Sequence, residues 1–387
     1  MKISIITPDL SRNCLGRAYL LAKVLQRKYD VEIIGLLSDE KIWQPIANDR
    51  SISYKSIKLK GRFKAYWQLK EISKKITGDI IYVHKPLFIN LGVGLVKKIF
   101  DKKPLVIDID DWEMGFVKDS LNNLSFLRRL KFLIRSTLFL YKIDSYWNVL
   151  FGEKLVRCVD DITVSNHFLQ RKFSATIIRH GKDTDVFAPE KFDNGFYRSR
   201  YGIEESKKVV MFFGTPMVHK GIEDLIKAVA LIKNKDTVFI FVGADGGEYC
   251  QKLIKEAEKI LPNNFRKFEQ QPFGKIPEFL TMADVIVIPQ RRNTATVGQI
   301  PAKLFDAMAM SKPIVATDVS DVHEILDECG WVIEPGQPVL LARTIQQVLG
   351  NPGEAQRKGK KAREKCVKMY SWAMMEETLT RIFGKYE

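Results

Sequence analysis

Short apolar runs of strand length alternate along the chain with longer stretches of helical period, the pattern of parallel α/β units. In the first half the apolar runs predict strands at Lys2–Thr7, Val31–Leu36, Ile80–Val83 and Leu105–Ile109, with Ile162–Ser165 and Thr176–Ile178 later; a helix over Gly16–Tyr29 follows the first. The pattern then restarts. Strands are predicted at Val209–Phe213, Val238–Val242, Val285–Ile288 and Ile314–Thr317, with helices at Ile222–Ile232, Glu248–Ile260, Ile276–Met282 and Pro301–Ala309 between and after them. Two successive doubly wound units are the simplest account. The expected division is a Rossmann-like N-terminal domain over 1–188, a second over 189–368, and a C-terminal helix over 369–387. Tyr370, Trp372 and Met375 on that helix need a surface, for which the N-terminal domain is the candidate.

Length supports two cores, since 387 residues exceed one ordinary domain. The five cysteines are scattered and form no CxxC pair, which favours free thiols in a reducing cytoplasm over disulfides or zinc. The N-terminus enters a strand with no basic leader, and charges interrupt every window of about 18 residues, so neither a signal peptide nor a spanning helix is expected.

Charge adds a partner. Lys and Arg number 62 against 46 Asp and Glu, a net +16 that calls for something anionic: nucleic acid, lipid head groups or a nucleotide diphosphate. Basic residues crowd into 55–75 and 127–142. In a helix predicted over Leu124–Lys142, Leu127, Leu130, Ile134, Leu138 and Tyr141 form an apolar stripe beside Arg128, Lys131, Arg135 and Lys142. Phe126, Phe132, Leu133, Phe139 and Leu140 widen the apolar side. Such a helix suits an anionic membrane surface; the alternative is that it packs inside the first domain with its basic stripe solvated.

Three stretches carry candidate chemistry. Phe213-Gly-Thr-Pro-Met-Val-His-Lys-Gly221 lies between a strand and a helix, where Gly214, Gly221 and Lys220 outline a phosphate site. Glycines at such a turn can equally be only a turn. In the stretch from Gly298 to Thr317, Pro301 suits a helix start and places the amides of Gln299, Ile300 and Ala302 at its positive end. Lys303 and Asp306 then share one face, fit to hold a diphosphate and a ribose hydroxyl, or else to form a surface i,i+3 ion pair. In the first half, Asp108-Ile-Asp-Asp-Trp-Glu113 ends a strand, as does His84; both stand where parallel sheets bind ligands. Gly16 and Arg17 open the first helix, where Arg17 reaches a phosphate or acceptor or is simply solvated.

The stretches His180–Pro189, Gly214–Gly221 and Pro301–Thr317, in that order, resemble the GT-B fold glycosyltransferases of the large retaining group called family 4. The resemblance implies an α/β fold of two Rossmann-like domains facing a central cleft. It implies a nucleotide-diphosphate sugar donor on the second domain, a lipid-linked or saccharide acceptor on the first, and transfer with retention. Neither metal nor other cofactor is expected, because lysines and helix N-termini neutralise the leaving diphosphate. Lys220 matches the family's diphosphate lysine, and Asp306 stands where the family has a ribose-binding glutamate.

Two departures accompany this. Thr215 replaces a common Arg, whose charge Lys303 could supply, and Gly298 replaces a Glu that contacts the donor sugar, leaving the amides of Gly298–Ile300 to serve. Asp110 occupies the place of a histidine near the reacting sugar and, with His84, is the catalytic candidate. Asp108 and Asp110 also spell a metal-chelating DxD, a weaker reading because the donor motifs lie in the other half. The expectation is therefore a hexosyltransferase of surface glycan biosynthesis, cytoplasmic and peripheral on the inner membrane face. The alternatives are a sugar-nucleotide epimerase and a non-catalytic nucleotide-sugar-binding protein. Nucleic acid is disfavoured, resting on charge alone, and no GxGxxG suggests NAD.

Overall fold

The computed structural model describes residues 1–58, 69–122, 124–140, 142–232, 234 and 236–387. It divides into two compact units. One comprises Met1–His180, Val297–Gln299 and Ala373–Glu387; the other comprises Gly181–Thr296 and Ile300–Trp372. The division falls before residue 188 because the segment from Gly181 is built into the second unit. Phe187 is buried in its core, and the Arg363 guanidinium donates to the carbonyls of Thr184, at 2.7 Å, and Phe187.

The first unit holds a seven-stranded sheet of order β3-β2-β1-β4-β5-β6-β7. Its strands are β1 (Lys2–Asp9), β2 (Asp30–Leu37), β3 (Ser53–Lys58), β4 (Ile80–His84), β5 (Leu105–Ile109), β6 (Asp161–Val164) and β7 (Thr176–Ile177). The second unit holds a six-stranded sheet of order β10-β9-β8-β11-β12-β13. Its strands are β8 (Lys208–Phe213), β9 (Thr237–Val242), β10 (Phe265–Phe268), β11 (Val285–Ile288), β12 (Ile314–Thr317) and β13 (Trp331–Ile333). All pairings between these strands are parallel. In both sheets the chain starts near the middle, winds outward and returns, so each β1-like strand lies beside the point where strand order reverses.

Burial follows the pleat. In β8, Val209, Met211 and Phe213 enter one core of the second unit while Val210 and Phe212 enter the core on the other face. Strands covered on both faces read as unbroken apolar runs, which is why the central strands were visible in the sequence.

Three strands were not foreseen: β3, β10 and β13. Each lies at a sheet edge, where one side meets solvent and the apolar run breaks up, as in Ser53-Tyr-Lys-Ser-Ile-Lys58.

The helices also differ in extent. The first spans Leu15–Leu25 instead of Gly16–Tyr29. The basic amphipathic helix spans Phe126–Leu138; Tyr141 of the predicted stripe and residues 59–68 of the basic stretch lie outside the described residues. The predicted terminal helix starts later, at Trp372, and runs to Phe383; a further helix, Pro352–Met369, precedes it and ends in the second unit before a break at Tyr370 and Ser371. Tyr370 packs on Phe305, whereas Phe383 packs edge-on to Tyr82 in the first unit, at centroid distances of 5.1 and 5.2 Å. No helix among the described residues is long and apolar enough to cross a membrane.

Candidate active site

In the second unit β8 runs into Gly214 and a short 3₁₀ turn, Val218–Lys220, before the helix Ile222–Leu231. Gly214 and Gly221 both take positive φ, +110° and +66°, which a residue with a Cβ rarely adopts. The turn is pinned from outside. Arg291 donates its amide to the His219 carbonyl at 2.8 Å, and its guanidinium pairs with Glu223 and Asp224 at 2.8 and 3.1 Å. Lys220 is folded back so that its Nζ donates to the Thr215 carbonyl at 2.6 Å.

The helix Ala302–Ala309 starts after Pro301 and brings Lys303 to the same place. Its Nζ is buried without a hydrogen-bond partner, 3.8 Å from the centre of the Phe212 ring and directly against the Gly214 backbone. Burial and the nearby Lys220 charge push the Lys303 amine well below the usual lysine range, with Asp306 opposing. Burial, Lys220 and Lys303 likewise lower His219 to about 4, so that its ring is neutral at pH 7. Gly214, Lys220 and Lys303 thus stand together, around an amine that lies over the Phe212 ring and has no hydrogen-bond partner.

Asp306 does not form the i,i+3 pair with Lys303. Its carboxylate is bonded at 2.6 Å by Lys182, a residue of the His180–Pro189 motif that was not singled out. Lys182 is fixed by backbone bonds on both sides: its amide donates to the Tyr370 carbonyl and its carbonyl accepts from Trp372, at 2.9 and 2.8 Å. Burial raises the Asp306 carboxyl, with Lys182 and Lys303 opposing. Ile300 is buried in the core, so only its backbone could face a ligand.

In the first unit β4 and β5 lie side by side, pairing His84 with Asp108. His84 Nε2 is 3.1 Å from Asp110 Oδ1, and its Nδ1 is 3.4 Å from the Thr7 hydroxyl. Lys85 is the residue the sequence reading passed over. It is buried at φ +73°, with its Nζ among the carboxylates of Asp110 at 3.2 Å, Asp111 at 3.3 Å, and Glu113. Burial disfavours that ammonium, but Asp110, Glu113 and Asp111 outweigh it and hold Lys85 protonated. Against the same cost of burial, Lys85 and His84 keep Asp110 ionised, well below the usual carboxylate range.

Asp108 belongs to a different construction. Arg17 grips it with two nitrogens, at 2.9 and 3.0 Å, and spends the rest of its fork on the carbonyls of Ile178 and Arg179. The Arg17 contact with phosphate or acceptor is therefore corrected: the side chain is buried and four of its five donors are taken within the first unit. The Gly16 amide closes a turn onto Asn13 at 3.0 Å, and the residue itself is half-buried. His84, Asp108 and Asp110 do bring ligand atoms within 4.8 Å of one another. Arg17 and Thr163 occupy the Asp108 oxygens and Lys85 neutralises Asp110, so the donor set suits these fixed cations and not a divalent ion.

Gly298 and Gln299 also lie in the first unit. The Gly298 carbonyl accepts from the Trp112 amide at 3.2 Å, and Gln299 Nε2 donates to Asp111 at 3.0 Å. A Cβ at Gly298 would stand 2.5 Å from the Trp112 Cβ, which accounts for the missing glutamate sterically.

Asp111 gives a prediction of its own. Burial, Asp110 and Glu113 push its carboxyl up to about 6, with Lys85 and Gln299 opposing. A raised carboxyl stabilises the fold fully below the unfolded value of 3.8, and that contribution is lost as pH rises through about 6. Asp111→Asn keeps an acceptor for Gln299 without the charge. It is expected to melt a few degrees above the parent at pH 8, about 1–2 kcal/mol, with no gain at pH 4. Thermal melts across that range check it.

Residues 193–365 match the family described as Glycosyl transferases group 1. Among curated proteins, the chain is similar to one named Probable glycosyltransferase WbjE from Pseudomonas aeruginosa, 30% identical over 37% of this chain and 36% of that protein. It is also similar to the alpha-maltose-1-phosphate synthase of Mycobacterium tuberculosis, 23% identical over 54% of this chain and 56% of the synthase. The chain thus spans between about a third and somewhat over half of the length of these relatives. Among solved structures, Anabaena HepE in complex with UDP and glucose superposes with a TM-score of 0.75. That match has 16% identity and covers 100% of both chains. Its level of identity speaks to fold. Sheet order, the ordered motifs and these matches agree: residues 193–365 are similar to the glycosyl transferases group 1 family, and the chain has the fold of the GT-B glycosyltransferases.

Proposed function

We propose that this chain transfers a hexosyl unit from a nucleotide-diphosphate sugar to a lipid-linked or saccharide acceptor, with retention, in surface glycan biosynthesis. The observation that carries the reading is the buried, unpartnered Nζ of Lys303 beside Lys220 at the glycine turn. A buried donor without an acceptor is costly, and a diphosphate oxygen is the partner that its surroundings fit. Asp306, already oriented by Lys182, takes the ribose. The amides of Gly298–Ile300 serve the donor sugar in place of the missing glutamate. The solved complexes of HepE contain UDP and UDP-glucose, the ligand class proposed here.

In the reaction the bond from the anomeric carbon to the diphosphate oxygen breaks and a bond from that carbon to the acceptor oxygen forms on the same face. The departing phosphate oxygen takes the acceptor's proton, and the lysines hold the released diphosphate without a metal. Asp110, ionised by Lys85 and aligned by His84, stabilises the positive charge that develops on the sugar. A non-catalytic binding protein is the second reading, favoured by Thr215 and Gly298 where the family has Arg and Glu.

The helix Phe126–Leu138 supports a peripheral position on an anionic membrane, and hence a lipid-linked acceptor. A thermal-shift panel of UDP, GDP, ADP and CMP should show one diphosphate raising the melting temperature by mass action, and the matching donor should then release its nucleotide in the presence of protein. No stabilisation by any diphosphate would sink the donor reading. Binding with no release against any acceptor would favour the non-catalytic protein, and conversion of donor alone an epimerase.

A further inference from the structure

Lys182 and Asp306, both in the second unit, are joined by a single contact, from Lys182 Nζ to Asp306 Oδ1 at 2.6 Å. Neither group is exhausted by it. An ionised carboxylate accepts on two oxygens and an ammonium has three donors, yet among the described residues no donor reaches Asp306 Oδ2 and no second acceptor reaches Lys182 Nζ. The side chains are mostly covered but keep 17% and 12% exposure, so neither is sealed from a ligand.

The pair is held from both backbones. The Lys182 amide donates to the Tyr370 carbonyl at 2.9 Å, and its carbonyl accepts from the Trp372 amide at 2.8 Å. The Tyr370 ring in turn packs on Phe305, 5.1 Å between centroids, in the helix Ala302–Ala309 that bears Asp306. Tyr370 thus anchors the lysine and the carboxylate together. Phe187 stands beside the ammonium, its ring centre 5.7 Å from Nζ. Polar groups fixed in this way lose little further freedom when a ligand arrives.

Their position suits a ribose. Asp306 follows Lys303 by three residues on one helix, which sets the pair one turn, ~5–6 Å, from the amine assigned to the diphosphate. A vicinal diol completes it, because each hydroxyl both donates and accepts. One hydroxyl donates to Asp306 Oδ2 while its neighbour accepts from Lys182 Nζ. A lone carboxylate could take the diol only as two donors, and would set bare negative charge beside a diphosphate. Lys182 cancels that charge.

We propose that Lys182 is itself a substrate-contacting residue, and that the Lys182–Asp306 pair reads the ribose as a unit, restricting the chain to nucleotides whose 2′- and 3′-hydroxyls are both present and free. The inference rests on the donor reading above, where Lys182 only orients Asp306, and adds a contact to it.

Isothermal titration of the full chain tests it. Of UDP, GDP and ADP, the one bound most tightly is compared with its 2′-deoxy and 3′-deoxy forms. The parent should lose about tenfold or more in affinity for each missing hydroxyl. Lys182→Met keeps the side-chain length without the donor, and should discriminate against only one deoxy form, binding the other within about threefold of the ribonucleotide. Lys182→Arg should discriminate against both. Because Lys182→Met leaves a covered carboxylate unpaired, Lys182→Met/Asp306→Leu removes both charges and takes its place if the single variant fails to fold; it should bind ribonucleotide and deoxy forms alike. Deoxy forms bound by the parent as tightly as the ribonucleotide would overturn the inference and leave the donor reading standing. So would a Lys182→Met variant that weakens every nucleotide by the same factor, the mark of a purely structural lysine. No diphosphate bound by the parent would overturn both.

Discussion

Lys303→Met is expected to melt above the parent and to lose nucleoside diphosphate affinity, and the opposite signs are the diagnostic. A lysine kept for structure would cost stability on removal. Lys303 instead has a buried Nζ with no acceptor, under the like charge of Lys220, so an apolar side chain of similar length removes an unfavourable group. Its lowered pKa means that the unfolded chain binds more protons than the fold. The parent's stability should therefore rise with pH through the window from that lowered value to the ordinary 10.5, a rise the variant lacks.

Ligand binding reverses the sign. A diphosphate supplies the missing acceptor and draws Lys303 back to its charged form, so binding takes up protons and weakens as pH rises through the same window. Each charge-assisted contact is worth about 1.5–3 kcal/mol, so Lys220→Ala/Lys303→Met together should lose about a hundredfold or more in affinity. Isothermal titration with the diphosphate that stabilises the parent most, in buffers of different ionisation enthalpy, measures both the loss and the proton uptake. Parent-like affinity in the double variant would remove the phosphate site.

How much of this was legible from the sequence depends on whether the evidence was local. Central strands such as Val209–Phe213 announce themselves because both faces are covered, and Lys220 and Lys303 stand in motifs whose spacing defines a turn and a helix start. Partnerships across long stretches of chain were not visible. Nothing near Arg17 says that Asp108, reached only when β5 comes to lie beside β4, consumes it. Nothing near Asp306 says that Lys182 arrives through the segment anchored to Tyr370 and Trp372. Lys85 was readable in part, because it directly follows a strand-end histidine. Its φ of +73° and its three carboxylates depend on the register of β4 against β5 and the position of the helix from Glu113. The departure at Gly298 was seen, but its cause, the approach of Trp112, exists only in the fold.

Asp110→Asn should bind donor as the parent does and lose about two to four orders of magnitude in turnover, the range of a positioned charged or acid–base group. The substitution is nearly isosteric. His84 still finds a polar atom at position 110, and Lys85 keeps Asp111 and Glu113, so what disappears is the one carboxylate that both neighbours hold ionised. Asp108→Asn supplies the contrast. That carboxylate is spent on Arg17 and Thr163 in the interior, and breaking a buried pair from one side costs about 3–5 kcal/mol, so the loss should appear in the melting temperature. Because Asp110 titrates well below 3.8, its ionisation adds stability above that value that is lost only as pH falls through the lowered one. The parent's turnover should accordingly show no limb from Asp110 near neutrality, and Asp110→Asn should scale the whole pH–rate profile down without changing its shape there. Turnover equal to the parent's would take Asp110 out of the mechanism. Activity that a chelator removes and added divalent metal restores would show that Asp108 and Asp110 give up Arg17 and Lys85 for an ion, reversing the assignment of both carboxylates.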